Sequence, residues 1–227
     1  LDPTNNTNVT DNHIKIGVGR DAKDCLINRG IMHGGGLHTQ TIKVTVKEIG
    51  ESAFASFELE EINIPDGVTK IGKEAFAHTD IKQITFPGSL KVIPEEALSY
   101  SSINRVIIED GVEVIGKRAF QYCDELEFVD IPDSVTEIEE GAFLADNALN
   151  EVSLPQGIKR IGTEAFFWCS ELHFKGSFPE TLTEIGDIAF CYCMFDEPLI
   201  LRDHLEHIGG GAFVYSDVKF DIRTERY

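Results

Sequence analysis

The chain has 227 residues, 42% of them hydrophobic, so a disordered protein is excluded. Twenty Lys and Arg against 39 Asp and Glu leave a net charge of −19, which repels phosphate backbones and anionic membranes and argues against nucleic acid as a partner. No run approaches the ~20 apolar residues of a membrane-spanning helix, so no membrane insertion is expected.

The opening stretch, LDPTNNTNVTDN, is polar, and no signal peptide is read in it. Its two sequons, Asn5-Asn6-Thr7 and Asn8-Val9-Thr10, matter only if the chain is secreted by a eukaryote. Residues 1–26 are read as a flexible tail and cap, with 13–26 covering the open end that a stacked array leaves. Residues 27–48 carry a degenerate copy of the repeat that follows, with Ile27, Ile31, Met32, Leu37 and Ile42 in its apolar slots and Gly34, Gly35 and Gly36 in its loop.

From Ile49 a period takes over. An isoleucine recurs at Ile49, Ile71, Ile93, Ile115, Ile138, Ile161, Ile185 and Ile208, at spacings of 22, 22, 22, 23, 23, 24 and 23. Four residues after each comes an alanine: Ala53, Ala75, Ala97, Ala119, Ala142, Ala165, Ala189 and Ala212. One residue further come Phe54, Phe76, Leu98, Phe120, Phe143, Phe166, Phe190 and Phe213. A period of this length means a solenoid, a propeller or an array.

The second half of each repeat reads Leu-x-x-Ile-x-Ile-Pro, as at Leu59, Ile62, Ile64 and Pro65, or Leu126, Val129, Ile131 and Pro132. Its apolar positions alternate with polar ones, which predicts a strand that the proline ends. Turn residues follow, such as Asp66-Gly67 and Asp110-Gly111. The glycine after each anchor isoleucine is expected to permit a sharp bend. The isoleucine and alanine four apart predict a short helical turn with both on one face. Phenylalanines fill the middle of the coil, and strands stack in parallel at ~4.8 Å with right-handed crossovers.

The combined pattern, Leu-x-x-Ile-x-Ile-Pro-x-x-Val-x-x-Ile-Gly-x-x-Ala-Phe-x-x-Cys, resembles the BspA-like leucine-rich repeat family. Phe120-Gln121-Tyr122-Cys123, Phe166-Phe167-Trp168-Cys169 and Phe190-Cys191-Tyr192-Cys193 carry its full ending. The resemblance covers roughly residues 27 to 220. It implies an α/β solenoid over 27–227, a right-handed leucine-rich-repeat array with a parallel β-sheet on one face and short helical turns and loops on the other. It also implies a surface protein of host-associated bacteria or some protists that adheres or recognises, with no catalytic motif to carry over. Departures from the pattern are Pro94 and Leu98 in the third repeat, Glu139 in the fifth, and Asp196 and Pro198 in the seventh strand. An extra residue in LHFKGSFP predicts a β-bulge near Phe174 to Gly176. The last two departures should weaken the sheet toward the C-terminal end.

Few residues point to chemistry. Cys123, Cys169 and Cys193 share one repeat position, which reads as a small polarisable residue packed inside the coil. The alternative is a disulfide between Cys169 and Cys193 in adjacent coils, which the stacking distance permits. With Cys25 and Cys191 the count is odd, which argues against a disulfide framework. The pairs His33/His38 and His204/His207 lack further ligands at metal spacing. Asp66, Asp110, Asp133, Glu180 and Asp203 recur just after the strand and read as turn caps, with a cation-attracting ladder as the alternative. GVGR and HGGGLH precede no P-loop lysine, and no nucleophile elbow or acid–base pair appears. No catalysis, metal or cofactor is expected.

The outward positions of the Leu-x-x-Ile-x-Ile strands form a grid, mostly polar, as a solvated sheet face should be. Phe128 and Ile107 are the exceptions, rimmed by Arg105, Glu127 and Asp130, with Asn150, Glu151, His173 and Phe174 on the following strands. An apolar centre with a charged rim is how recognition hot spots are built. The expected function is therefore a non-enzymatic recognition or adhesion module, secreted or on a cell surface. It would be a monomer binding a protein or glycan, possibly host-derived, on the sheet face. The alternative is a structural stalk that presents another domain.

Overall fold

The computed structural model describes residues 46–174, 178–201 and 203–220, and the backbone alone of 25–33, 36–44 and 221–222. The expected tail and cap up to residue 24, Gly34, Gly35, and most of the expected bulge, 175–177, lie outside the described residues.

Over the stretch read as a degenerate opening repeat, Cys25–His33 and Gly36–Val44 pair antiparallel, from Cys25 opposite Val44 to His33 opposite Gly36. This hairpin is local pairing, unlike the crossover that a coil of the array makes.

From Ile49 on, the chain is a parallel β-solenoid. The anchor isoleucines form their own stack, an arrangement the motif did not reveal. Val92–Ile93, Val114–Ile115, Glu137–Ile138, Arg160–Ile161, Glu184–Ile185 and His207–Ile208 pair in chain order, each isoleucine directly opposite the next. Glu48–Ile49 and Lys70–Ile71 pair in the same way. The expected Leu-x-x-Ile-x-Ile sheet is a second parallel stack, Gln83–Phe86, Arg105–Ile108 and Phe128–Asp130, extended by single bridges to Glu61 and Glu151. Toward the C-terminal end it breaks into two separate pairs: His173–Phe174 with Met194–Phe195, and Leu199–Leu201 with Phe220–Ile222. Pro198, without an N–H, lies between the two strands of the seventh coil.

The predicted helical turns are not there: among the described residues no segment is helical, so the α/β assignment gives way to an all-β one. The backbone gives the reason. Each turn segment has two residues with positive φ, four apart: Glu74 and His78, Glu96 and Tyr100, Arg118 and Tyr122, Glu164 and Trp168, Ile188 and Tyr192. A left-handed residue at every fourth position cannot propagate a right-handed helix. Instead, alternate N–H groups close tight turns, as Ala97 does onto Pro94, while those between reach sideways to the next coil. Phe76 donates to the Ala97 carbonyl at 2.9 Å, Phe120 to Ala142 at 2.8 Å and Phe143 to Ala165 at 2.8 Å. Each non-glycine left-handed residue costs roughly 1–2 kcal/mol, which these lateral bonds and the burial beneath them offset.

The glycines after the anchor also have a different role from the one expected. Their φ values are not left-handed; from Gly72 on, the coil below is simply too close, while Gly50 has open space. A Cβ would lie 2.3 Å from the Glu51 nitrogen at Gly72, 2.3 Å from the Ile93 oxygen at Gly116 and 2.3 Å from the Thr163 nitrogen at Gly186.

The phenylalanine column forms the core as predicted. Phe120, Phe143, Phe166 and Phe190 are fully buried and stack face to face with centroids 5.2, 5.1 and 5.5 Å apart. Leu98 interrupts the column. Phe86, from the sheet strand of the preceding repeat, turns its ring edge-on to Phe120 at 6.1 Å and supplies the missing volume.

Candidate functional site

The sheet face is built as the alternation required. Val106 and Val129 point into the core, opposite each other, and Arg105 and Phe128 point out, also opposite each other. Gln83, Arg105, Phe128 and Glu151 form one outward row; Thr85, Ile107 and Asp130 form the next. Phe128 is 38% exposed and Ile107 is half-buried. The Arg105 guanidinium lies 4.5 Å from the centroid of the Phe128 ring. That cation–π contact joins the apolar centre to its rim. Glu127, Asp130, Asn150 and Glu151 are exposed around it. Ile107 opposes Asp130 rather than Phe128, so the two apolar residues meet only diagonally.

Phe174 does not belong to this face. It is 5% exposed, edge-on to Phe166 and Phe190, and stacked on Phe195 at 5.2 Å. The longer sixth coil shifts the register so that the ring takes the inward slot, because burying it outweighs keeping the outward alignment. His173 beside it pairs through Nδ1 with Asp196 at 2.6 Å.

The cysteine column is internal, as expected of a packed residue, and the four described cysteines are free thiols. Cys123, Cys169 and Cys193 donate to the carbonyls of Leu98, Phe143 and Phe166 at 3.1, 2.9 and 3.1 Å. Burial pushes all three thiols up, so none is a ready nucleophile. Asp146 holds the same column position and is fully buried. Its Oδ1 accepts the Cys123 N–H at 2.8 Å, and its Oδ2 has no partner. Burial holds its carboxyl well above the usual carboxylate range. Among the described residues, no three His, Cys, Asp or Glu side chains gather as a metal would need.

Sequence reasoning missed a second ladder. The position two residues after the phenylalanine slot holds Ser56, His78, Tyr100, Tyr122, Ala145, Trp168, Tyr192 and Tyr215, and its aromatic rings lie outside the coil. His78, Tyr100 and Tyr122 stack at 5.1 and 4.9 Å; Tyr192 and Tyr215 stack at 4.8 Å. Tyr100, Trp168 and Tyr215 are 51%, 54% and 75% exposed. The signal was in the aligned repeats, in the second variable position of Phe-x-x-Cys.

Parallel coils of 22 to 24 residues, each closing a leucine/isoleucine strand onto an Ile-Gly-x-x-Ala-Phe turn, define a leucine-rich-repeat solenoid. The family model for the BspA type leucine rich repeat region matches residues 27–150 and 143–222. The chain belongs to that family. No curated protein matches it. Among solved structures it is similar to the T. pallidum leucine rich repeat protein, at 23% identity and a TM-score of 0.48 over 59% of this chain and 75% of that one. A leucine rich cell surface protein from Faecalibacterium prausnitzii is 25% identical, with a TM-score of 0.47 over 94% of this chain and 69% of that one. A leucine-rich repeat protein from Bacteroides ovatus is 21% identical, with a TM-score of 0.43 over 80% and 70%.

Proposed function

We propose that this protein is a non-enzymatic recognition module of an extracellular or cell-surface protein, binding a protein or glycan through its sheet face. The observation that carries this reading is the exposed Phe128 ring capped by Arg105 at 4.5 Å, set in a rim of Ile107, Glu127, Asp130, Asn150 and Glu151. Aromatic and arginine anchors inside a polar rim dominate binding at protein interfaces. Membership of a repeat family whose members present extended faces supports it. The reading takes the protein to be a monomer that needs no metal or cofactor.

A protein and glycan array probed with the wild type, Phe128→Ala and Arg105→Ala tests it. A ligand found with the wild type should bind both variants more weakly by over ~1 kcal/mol, the mark of an anchor residue. Their melting transitions should be nearly unchanged, because both side chains are exposed. Ligand binding that neither substitution alters would move the site off the sheet face.

A further inference from the structure

The two ends of the solenoid handle their charge differently. In the coils up to Arg160, several carboxylates pair with cations one or two coils away: Lys73 with Glu95 at 3.1 Å, Lys82 with Glu125 at 2.8 Å, Lys91 with Glu113 at 2.7 Å and Lys117 with Glu140 at 2.7 Å. From Thr163 to Lys219 the sequence has ten Asp and Glu against three Lys and Arg. There Glu164, Glu171 and Asp217 have no Lys, Arg or His in ion-pair range among the described residues.

The same coils carry a dense exposed aromatic patch. Phe167 lies edge-on to Trp168 at 6.4 Å and to Tyr192 at 6.1 Å, and Tyr192 stacks on Tyr215 at 4.8 Å. Val214, 45% exposed, sits beside Tyr215 in the chain. The outer ladder has no ring at Ala145, and the Trp168 indole is 54% exposed, with ring contacts only to Phe167 and Tyr192 among the described residues. Indole faces are the strongest cation–π partners among side chains. Glu164 precedes Trp168 by four residues, Glu171 follows it by three and Asp217 follows Tyr215 by two, so carboxylates without an ion-pair partner among the described residues lie close to the rings in the chain. A second copy of this chain is a poor occupant, because its matching face would bring the same negative charge.

We infer that Phe167, Trp168, Tyr192, Val214 and Tyr215 form a second docking surface, distinct from the sheet face, for an arginine- and lysine-bearing segment of a partner protein. Guanidinium groups lie on the ring faces and pair with these carboxylates. An aromatic stripe with neutralised surroundings would select an apolar partner; this one selects a basic one.

Trp168 is the only tryptophan, so its fluorescence reports on this patch alone. The test titrates the full chain at physiological salt with a decapeptide alternating arginine and glycine, its lysine counterpart and a serine–glycine control. The arginine peptide should shift Trp168 emission and bind more tightly than the lysine peptide, and the control should do neither. By fluorescence anisotropy of the labelled peptide, Tyr215→Ala should weaken binding about tenfold, the scale of a lost cation–π contact in a partly desolvated site. Glu164→Gln should weaken it as well, while Phe128→Ala leaves it unchanged. Binding without any change in Trp168 emission, or binding indifferent to Tyr215→Ala, would show general attraction to an acidic surface and overturn the proposal. So would soluble oligosaccharides that shift the emission when the peptides do not. Failure of the sheet-face reading would appear separately, in the Phe128→Ala arm of the array.

Discussion

Two aromatic columns run along this solenoid, two residues apart in every repeat, and they meet opposite fates. The inner column is fully buried from Phe120 to Phe190; the outer one is 40% to 75% exposed at its tyrosines and tryptophan. Their stacking is nonetheless alike: Phe143 and Phe166 lie 5.1 Å apart, Tyr100 and Tyr122 4.9 Å. The coil spacing imposes that geometry, and burial does not. The difference shows in how each column tolerates a break. At Leu98 the inner column borrows Phe86 from another strand. At Ala145 no ring of the described residues compensates for the gap in the outer one. Inside, a missing ring is replaced by another; in the outer column the position is left to a small side chain, Ala145, itself only 3% exposed.

Breaking the inner column should have the largest effect. Phe143→Ala is expected to cost ~3–5 kcal/mol in urea melts, the usual range for a buried phenylalanine. A loss below about 1 kcal/mol would mean the column is not the core. Filling its gap should also do harm, because Phe86 already occupies the space. Leu98→Phe is expected to destabilise by ~1–3 kcal/mol through overpacking.

Asp146, next to the outer gap, sharpens the contrast through pH. Burial holds its carboxyl well above the usual carboxylate range, so the fold favours the protonated form. Its contribution to stability is fully present below the unfolded pKa and is lost as pH rises toward the folded one. Asp146→Asn keeps an acceptor for the Cys123 N–H and cannot ionise. It should raise stability at neutral pH by ~1–3 kcal/mol, because folding no longer has to protonate or bury a charged carboxyl there. The gain should vanish near pH 3, measured by thermal melts across pH. Equal melting curves at every pH would show that the buried carboxyl carries no penalty.

The smallest effect should come from filling the outer gap. Ala145 has φ 60°, like the tyrosines at its position, so a ring fits the backbone there. Ala145→Tyr should stabilise by ~0.5–1.5 kcal/mol, the worth of added ring stacking. The opposite signs of Leu98→Phe and Ala145→Tyr are the sharpest check on the two-column contrast.

The inner column was legible in the sequence because seven of eight copies repeat Ala-Phe in register, with Leu98 in the third; the outer one was missed. The absence of helices was not legible either. The left-handed positions that prevent a helix hold glycine only at Gly141 and Gly211; elsewhere they hold residues such as glutamate, histidine, tyrosine, arginine and tryptophan, which do not mark them. Gly72 and its equivalents were read as bends because steric crowding from a coil 22 residues away leaves no local mark. On the sheet face, alternation placed Arg105, Ile107 and Phe128 correctly. It failed at Phe174: the extra residue of the longer coil was counted, but alternation alone does not tell which way that residue turns the ring, and burial took it inward. The Arg105–Phe128 contact needed the pairing register itself, which no single strand contains.

The lateral hydrogen bonds of the turn segments, Phe76 to Ala97 and onward coil by coil, run parallel to the solenoid axis. A tether pulling on the two ends therefore loads these bonds one rung at a time instead of shearing many together. The array should yield as a series of small steps, each releasing one 22- to 24-residue coil. With ~3.4 Å of extended chain per residue, each step would lengthen the molecule by about 75 Å. A solenoid of this construction behaves as a soft, extensible tether, able to absorb a sudden load by giving up coils from its ends while the remaining coils keep their face intact.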